Sequence, residues 1–106
     1  MTTAQGFELH PGAVQDVTEI WEFIGKDNPF AARDVREDIL DTIRNLIPFP
    51  HQGHRRADLT SRPLRFQTVR NYLIAYAPDE KPLLVVAVLH GRRSPRVIAA
   101  ILRKRS

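Results

Sequence analysis

The 106-residue sequence predicts an α+β domain in the order β-α-α-β-β-β-α, a small antiparallel sheet with a helical hairpin and a C-terminal helix. Three observations predict it. Two stretches in the first half repeat their apolar residues every three or four positions, as helices do. Three stretches in the second half alternate in polarity or run apolar at strand length. A serine–proline pair then opens a last amphipathic segment.

Residues 7–10 (FELH) are short and extended, and Pro11 ends them, which suits an edge strand. Residues 12–26 follow as a helix with Val14, Val17, Ile20 or Trp21, and Ile24 on one face. Asp16, Glu19 and Glu22 fall largely between them. Gly25, Lys26 and Asp27 end it. Asn28-Pro29 starts a second helix, because asparagine caps well and proline is tolerated in the first turn. Val35, Ile39, Ile43 and Leu46 form its apolar stripe, and Pro48 stops it. Two amphipathic helices this close read as a hairpin packed on something else.

Residues 48–63 (PFPHQGHRRADLTSRP) show no periodicity and make a candidate binding loop. Residues 64–69 alternate Leu64, Phe66 and Thr68 against Arg65, Gln67 and Val69. A two-residue turn at Arg70-Asn71 leads into residues 72–77, where Tyr72, Ile74 and Tyr76 share a face. PDEKP is a turn. Residues 83–89 (LLVVAVL) read as a central strand covered on both faces. The three strands form an antiparallel meander. Ser94 and Pro95 then cap a helix with Val97, Ile98, Ile101 and Leu102 on its apolar side. The helices are expected against one side of the sheet.

The length suits one domain over residues 1–106, and 42% apolar content can fill its core. Without cysteine there are no disulfides and no thiolate metal sites. No apolar run reaches the roughly 18 residues of a membrane helix. The start MTTAQGFELHP lacks the basic and apolar regions of a signal peptide, so a cytoplasmic location is expected.

Net charge is +4, but its distribution is uneven. Through Gly53 there are four basic residues against nine acidic; from His54 onward there are twelve against three. The halves therefore carry −5 and +9. Such asymmetry suggests a solvated front half and a back half that meets something negative. Thirteen of the sixteen basic residues are arginine, whose planar fork suits phosphate and carboxylate.

His51 and His54 form an HxxH pair that could join Asp58 on a metal, but the spacing lacks a helix to align it, and no metal site is expected. Trp21, Tyr72 and Tyr76 read as packing residues.

Several local features occur together in order. They are Ile20-Trp21-Glu22-Phe23-Ile24, Asn28-Pro29 with Ala31-Ala32, and the loop residues Pro50, Gly53, Arg55-Arg56 and Asp58-Leu59. Leu64-Arg65-Phe66, Tyr72-Leu73-Ile74-Ala75-Tyr76 and an apolar strand running into His90-Gly91-Arg92-Arg93 complete the series. This series resembles the RelE/ParE toxin superfamily of type II toxin–antitoxin systems over residues 7–102, and the HGRR junction favours the ParE branch.

The resemblance implies a toxin silenced by a cognate antitoxin, acting in growth arrest and plasmid stabilisation, with no cofactor. ParE-like members block DNA gyrase and have no established catalytic residues. On that reading Arg65, Arg92, Arg93, Arg96 and Arg103 bind the target, with the rest of the 103–105 tail beside them. RelE-like members cut messenger RNA on the ribosome. On that alternative Arg65 and Arg93 clamp phosphate and His90 serves as base, since histidine as a type titrates near neutrality. The bland reading of His90 is a strand-end residue bonded to backbone. A tyrosine that RelE-like enzymes carry in the final helix is missing: Ala99 stands there, and residues 94–106 contain no tyrosine. A third alternative is a nucleic-acid-binding or inactive relative. The antitoxin's toxin-binding segment is expected to be acidic and amphipathic, complementing the +9 half.

Overall fold

A computed structural model describes residues 6–105, so the first five residues of the start assessed for a signal peptide lie outside the described residues. The element order is the expected one. Strand β1 (Phe7–Leu9) leads into helices α1 (Pro11–Gly25) and α2 (Pro29–Leu46). Strands β2 (Arg65–Val69), β3 (Tyr72–Ala77) and β4 (Leu83–His90) follow, then helix α3 (Pro95–Lys104).

Local chemistry sets the helix starts. Asn28 Oδ1 accepts from the Phe30 and Ala31 amides at 3.1 and 3.0 Å, with Pro29 in the first turn. Ser94 Oγ accepts from the Val97 amide at 3.3 Å, again ahead of a proline. Helix α1 begins at Pro11 itself, capped by His10, whose Nδ1 accepts from the Gly12 amide at 2.9 Å.

The sheet order is β1-β4-β3-β2. Strands β2, β3 and β4 form the antiparallel meander, and β1 joins β4 in parallel. Both faces are covered. The hairpin packs on one through Val17, Val35, Ile39, Ile43 and Leu46, against Ile74, Tyr76, Val85 and Val88. The other is closed by Ile98 and Leu102 of α3 with Leu59 and Leu64 of the loop, over Phe66, Leu73, Val86 and Leu89. The expectation that all helices lie on one side is therefore corrected: α3 sits opposite the hairpin. A sheet with one covered face would have left Leu73, Val86 and Leu89 in water.

The α2 stripe is as expected, but the α1 stripe is rotated. Ala13, Asp16 and Val17 are buried, while Val14 and Trp21 are about half exposed, at 47% and 49%. Trp21 is thus not a core residue. In β4 the register jumps, with Ala75 opposite Ala87 and Tyr76 opposite Val85. Val86 is the extra residue of a bulge. The hairpin β2–β3 turns at Arg70 with φ of +53°, a left-handed conformation costing a non-glycine residue about 1 kcal/mol. Its guanidinium reaches Asp38 of α2 at 2.7 Å.

Strand β1 covers only Leu83 to Val85 of β4. Past that point a side-chain pair takes over the strand edge. Asp16 Oδ2 accepts from the Val88 amide at 3.0 Å, and Arg105 Nη1 donates to the Val86 carbonyl at 3.2 Å. The two side chains bind each other as a fork, Nη1–Oδ2 at 2.6 Å and Nη2–Oδ1 at 3.0 Å. Gly12 leaves room for it, since a Cβ there would overlap the Arg105 guanidinium. Arg62 Nη1 donates to the Leu102 and Arg105 carbonyls at 2.9 and 2.6 Å, closing the end of α3.

The loop from 48 to 64 is a fixed strap. It holds a 3-10 turn (Pro50–Gln52) and a bridge between His54 and Phe66. Tyr76 anchors its middle: the Gly53 amide donates to the hydroxyl at 3.0 Å, which donates to the Pro50 carbonyl at 2.6 Å.

Two variants test these anchors. Asp16→Ala should cost about 3–5 kcal/mol in urea unfolding, because it leaves a half-buried guanidinium and the Val88 amide without acceptors. Asp16→Asn keeps an acceptor and should cost about 1–2 kcal/mol. Tyr76→Phe should cost about 1–3 kcal/mol by orphaning the Gly53 amide and Pro50 carbonyl. Burial pushes the Tyr76 hydroxyl above its ordinary 10.0, although the Gly53 amide and Arg65 pull it back. The retained proton therefore stabilises the fold below pH 10.0, a contribution lost as pH rises through the folded-state value. Alkaline unfolding of Tyr76→Phe should accordingly lose this pH dependence.

Candidate functional site

The junction between β4 and α3 carries the densest group of free cations. Strand β4 ends at His90, and the Gly91 amide donates to the Asn71 carbonyl at 2.8 Å, tying the junction to the β2–β3 turn. The Arg93 amide bonds the His90 carbonyl at 3.1 Å, so the chain turns tightly into α3. Arg92, Arg93 and Arg96 are thereby brought together at the start of α3, all exposed. Among the described residues none of the three forms a salt bridge. The first turn of α3 also lacks an acidic residue. Cations at this end of a helix oppose its dipole by about 0.3–1 kcal/mol each.

Arg103 lies on the same helix seven residues further, about 10 Å along the axis. Arg65 stands apart. It pairs with Tyr76, whereas His90 pairs with Tyr72. Four residues of β3 separate those positions, about 13 Å along the strand and two strands across. Arg65 Nη1 is engaged with the Gly53 carbonyl at 3.0 Å. Arg65 and His90 therefore occupy opposite ends of the sheet.

His90 is a strand-end residue bonded to backbone. Its Nδ1 accepts from the Arg92 amide at 3.1 Å, and its ring meets Tyr72 edge-on with centroids 5.5 Å apart. The Nδ1 lone pair is thus engaged by that amide and is not free for a substrate. Tyr72 is half-buried and Tyr76 fully buried.

The other candidates disperse. His51 Nε2 pairs with Asp79 at 3.0 Å. The backbone of His54 pairs with Phe66. Asp58 is held bidentately by Arg56 at 2.9 and 2.8 Å, and that hydrogen bonding keeps its carboxyl below the usual range. Among the described residues no group of three histidine, cysteine or acidic side chains is placed to hold a metal. Arg105, grouped with the basic tail from sequence, belongs to the Asp16 fork and is not a free cation.

Two of the grooves beside α1 carry exposed aromatics. One, of about 210 Å³, lies between α1 and the β4 edge, with Ile20, Phe23, Tyr72, His90 and Arg93 in its wall. The other, of about 630 Å³, lies on the outer hairpin, with Trp21, Pro29, Phe30 and Arg33 among its lining. Phe23 and Phe30 are 74% and 71% exposed. Sequence reasoning missed both grooves. Part of the signal was available: Phe23 lies off the expected α1 stripe, and Phe30 lies off the α2 stripe of Val35, Ile39, Ile43 and Leu46.

No helix among the described residues is long and apolar enough to cross a membrane. No curated protein matches the chain. A family model described as the ParE toxin of the type II toxin–antitoxin system parDE matches residues 7–95, from β1 through the HGRR junction to the start of α3. The chain therefore belongs to the ParE toxin family of type II toxin–antitoxin systems.

Proposed function

We propose that this toxin arrests growth by binding DNA gyrase through the β4–α3 junction. The observation that carries the proposal is the cluster of Arg92, Arg93 and Arg96, exposed, without carboxylate partners, and set at the helix end where cations cost most. Groups held at a cost in the free protein point to use in a complex. Arg103 extends the surface along α3.

The mRNA-cleavage alternative draws less support. In-line cleavage needs a base and a phosphate clamp around one reacting group. Arg93 lines the same groove as His90, but Arg65 lies across the sheet from both, and His90 spends Nδ1 on the Arg92 amide. A toxin that grips needs no such convergence.

Membership of the family implies a cognate antitoxin. The α1–β4 groove suits an amphipathic segment: Ile20, Phe23 and Tyr72 offer apolar contact, Arg93 offers a cation to an acidic residue, and Glu19 in the same wall requires that acidic residue to lie at the Arg93 end. Such a segment would act in the cytoplasm, where gyrase works.

Purified toxin should inhibit supercoiling by gyrase, and Arg92→Glu with Arg93→Glu should weaken inhibition at least tenfold, about 1.4 kcal/mol. Absence of inhibition at large toxin excess overturns the proposal, as does cut message in translation reactions with programmed ribosomes. In cells, DNA synthesis should stop before protein synthesis does. A peptide of the antitoxin's acidic segment should compete with Phe23→Ala toxin at least tenfold less well than with the native chain.

A further inference from the structure

The sheet separates two kinds of surface. On the hairpin side Glu19, Glu22, Asp34, Glu37, Asp38 and Asp41 outnumber the exposed cations Lys26, Arg33, Arg36 and Arg44, and Trp21, Phe23 and Phe30 are exposed among them. On the α3 side the exposed charges are Arg92, Arg93, Arg96, Arg103 and Lys104, with Arg55 on the adjoining strap; Arg93 also lines the α1–β4 groove. Asp58, the acidic residue of that strap, is neutralised by Arg56. Asp79 and Glu80 sit in the β3–β4 turn, at the other end of the sheet from His90.

The α3 face also lacks the exposed aromatic anchors that protein interfaces use. Its large apolar residues, Leu59, Leu64, Ile98 and Leu102, are buried beneath the helix and strap. Val97 is the half-exposed exception. Binding hot spots in protein interfaces are buried aromatic and arginine anchors seated in pockets. The exposed aromatics Trp21, Phe23 and Phe30 are on the hairpin side, and Phe49 is exposed where the strap leaves α2. Single-stranded nucleic acid and RNA loops are likewise held by stacking on exposed rings, and α3 and the strap segment beside it carry none.

We infer that the α3 face binds the phosphate backbone of duplex DNA directly. Arg96 and Arg103 stand about two turns apart on α3, with Ala99 and Ala100 between them. These short side chains let the helix lie close to a backbone while the guanidinium forks reach phosphate oxygens. Arg92 and Arg93 extend the contact at one end and Lys104 at the other. Contacts of this kind position a protein on DNA without reading sequence. The inference deepens the gyrase proposal and rests on it only for where the duplex is met: gyrase holds DNA, and the α3 face would touch that DNA.

The test is fluorescence anisotropy of a labelled 30-base-pair duplex with the full chain and no gyrase, from 50 to 300 mM KCl. Four or five phosphate contacts give a slope of about −4 in log affinity against log salt. Arg96→Gln with Arg103→Gln should reduce that slope by about two and weaken binding at least tenfold at 100 mM KCl. Lys26→Gln with Arg44→Gln removes the same charge from the hairpin and should leave both unchanged. Circular dichroism checks that each variant folds. No binding at 50 mM KCl overturns the inference, as does equal loss in the hairpin variant or tighter binding of a single strand or duplex RNA. A parallel supercoiling assay separates the two claims. Gyrase inhibition without DNA binding overturns this inference and keeps the gyrase proposal, assigning the arginines to a protein contact. DNA binding without gyrase inhibition does the reverse.

Discussion

The fork between Asp16 and Arg105 is the constraint on which the rest of the molecule depends. A three-residue β1 cannot cover an eight-residue β4, so half of the central strand has an open edge. Open edges invite pairing with other chains. The fork closes this one with side chains, taking the Val88 amide and the Val86 carbonyl. Its partners are 89 residues apart, so it ties the first helix, the central strand and the chain beyond α3 together. Desolvating an ion pair is tolerated only when its donors and acceptors are well used. Asp16 and Arg105 meet that condition, and among the described residues no buried side-chain nitrogen or oxygen lacks a partner.

The fork also divides the arginines by role. Arg105 holds Asp16 and Val86; Arg62 closes α3; Arg65 holds Gly53; Arg70 holds Asp38. These four spend their donors inside the fold. Arg92, Arg93, Arg96 and Arg103 do not, although they come from the same basic half of the chain. With α3 pinned at its far end by Arg62 and at its near end by the Gly91–Asn71 bond, those four are displayed on a fixed support. Preorganised cations lose less entropy on binding than mobile ones.

Local rules made much of this legible in the sequence. Asn28-Pro29 and Ser94-Pro95 announce helices because capping depends on neighbouring residues alone. The α2 stripe reads correctly because each of its apolar residues is buried. Helix α1 misleads because Asp16 takes a buried position, three residues from Ala13 and four from Ile20. A carboxylate there makes sense only with Arg105, which no local pattern reveals. The bulge at Val86 is equally hidden: in a strand apolar on both faces, no alternation marks the extra residue. That Arg65 and His90 lie at opposite ends follows from strand register, and that α3 lies opposite the hairpin follows from tertiary packing. The charge split was legible as −5 and +9, yet only the sheet between the halves turns it into two surfaces.

The two surfaces obey different physics. A protein partner seated on the hairpin-side aromatics would leave slowly and depend little on salt. Arginines on the α3 side raise the on-rate toward an anionic partner and weaken steeply as salt rises. Free, the toxin bears the cost of both: exposed rings in water on one side, and like charges crowded at a helix end on the other. That cost is of the order of a few kcal/mol, a large fraction of the 5–15 kcal/mol by which a domain is stable. The buried α2 stripe, the Tyr76 anchor and the Asp16–Arg105 fork offset it. On the proposed reading, stability is concentrated in the α2 stripe, the Tyr76 anchor and the fork, and function in residues that the fold alone would do better without.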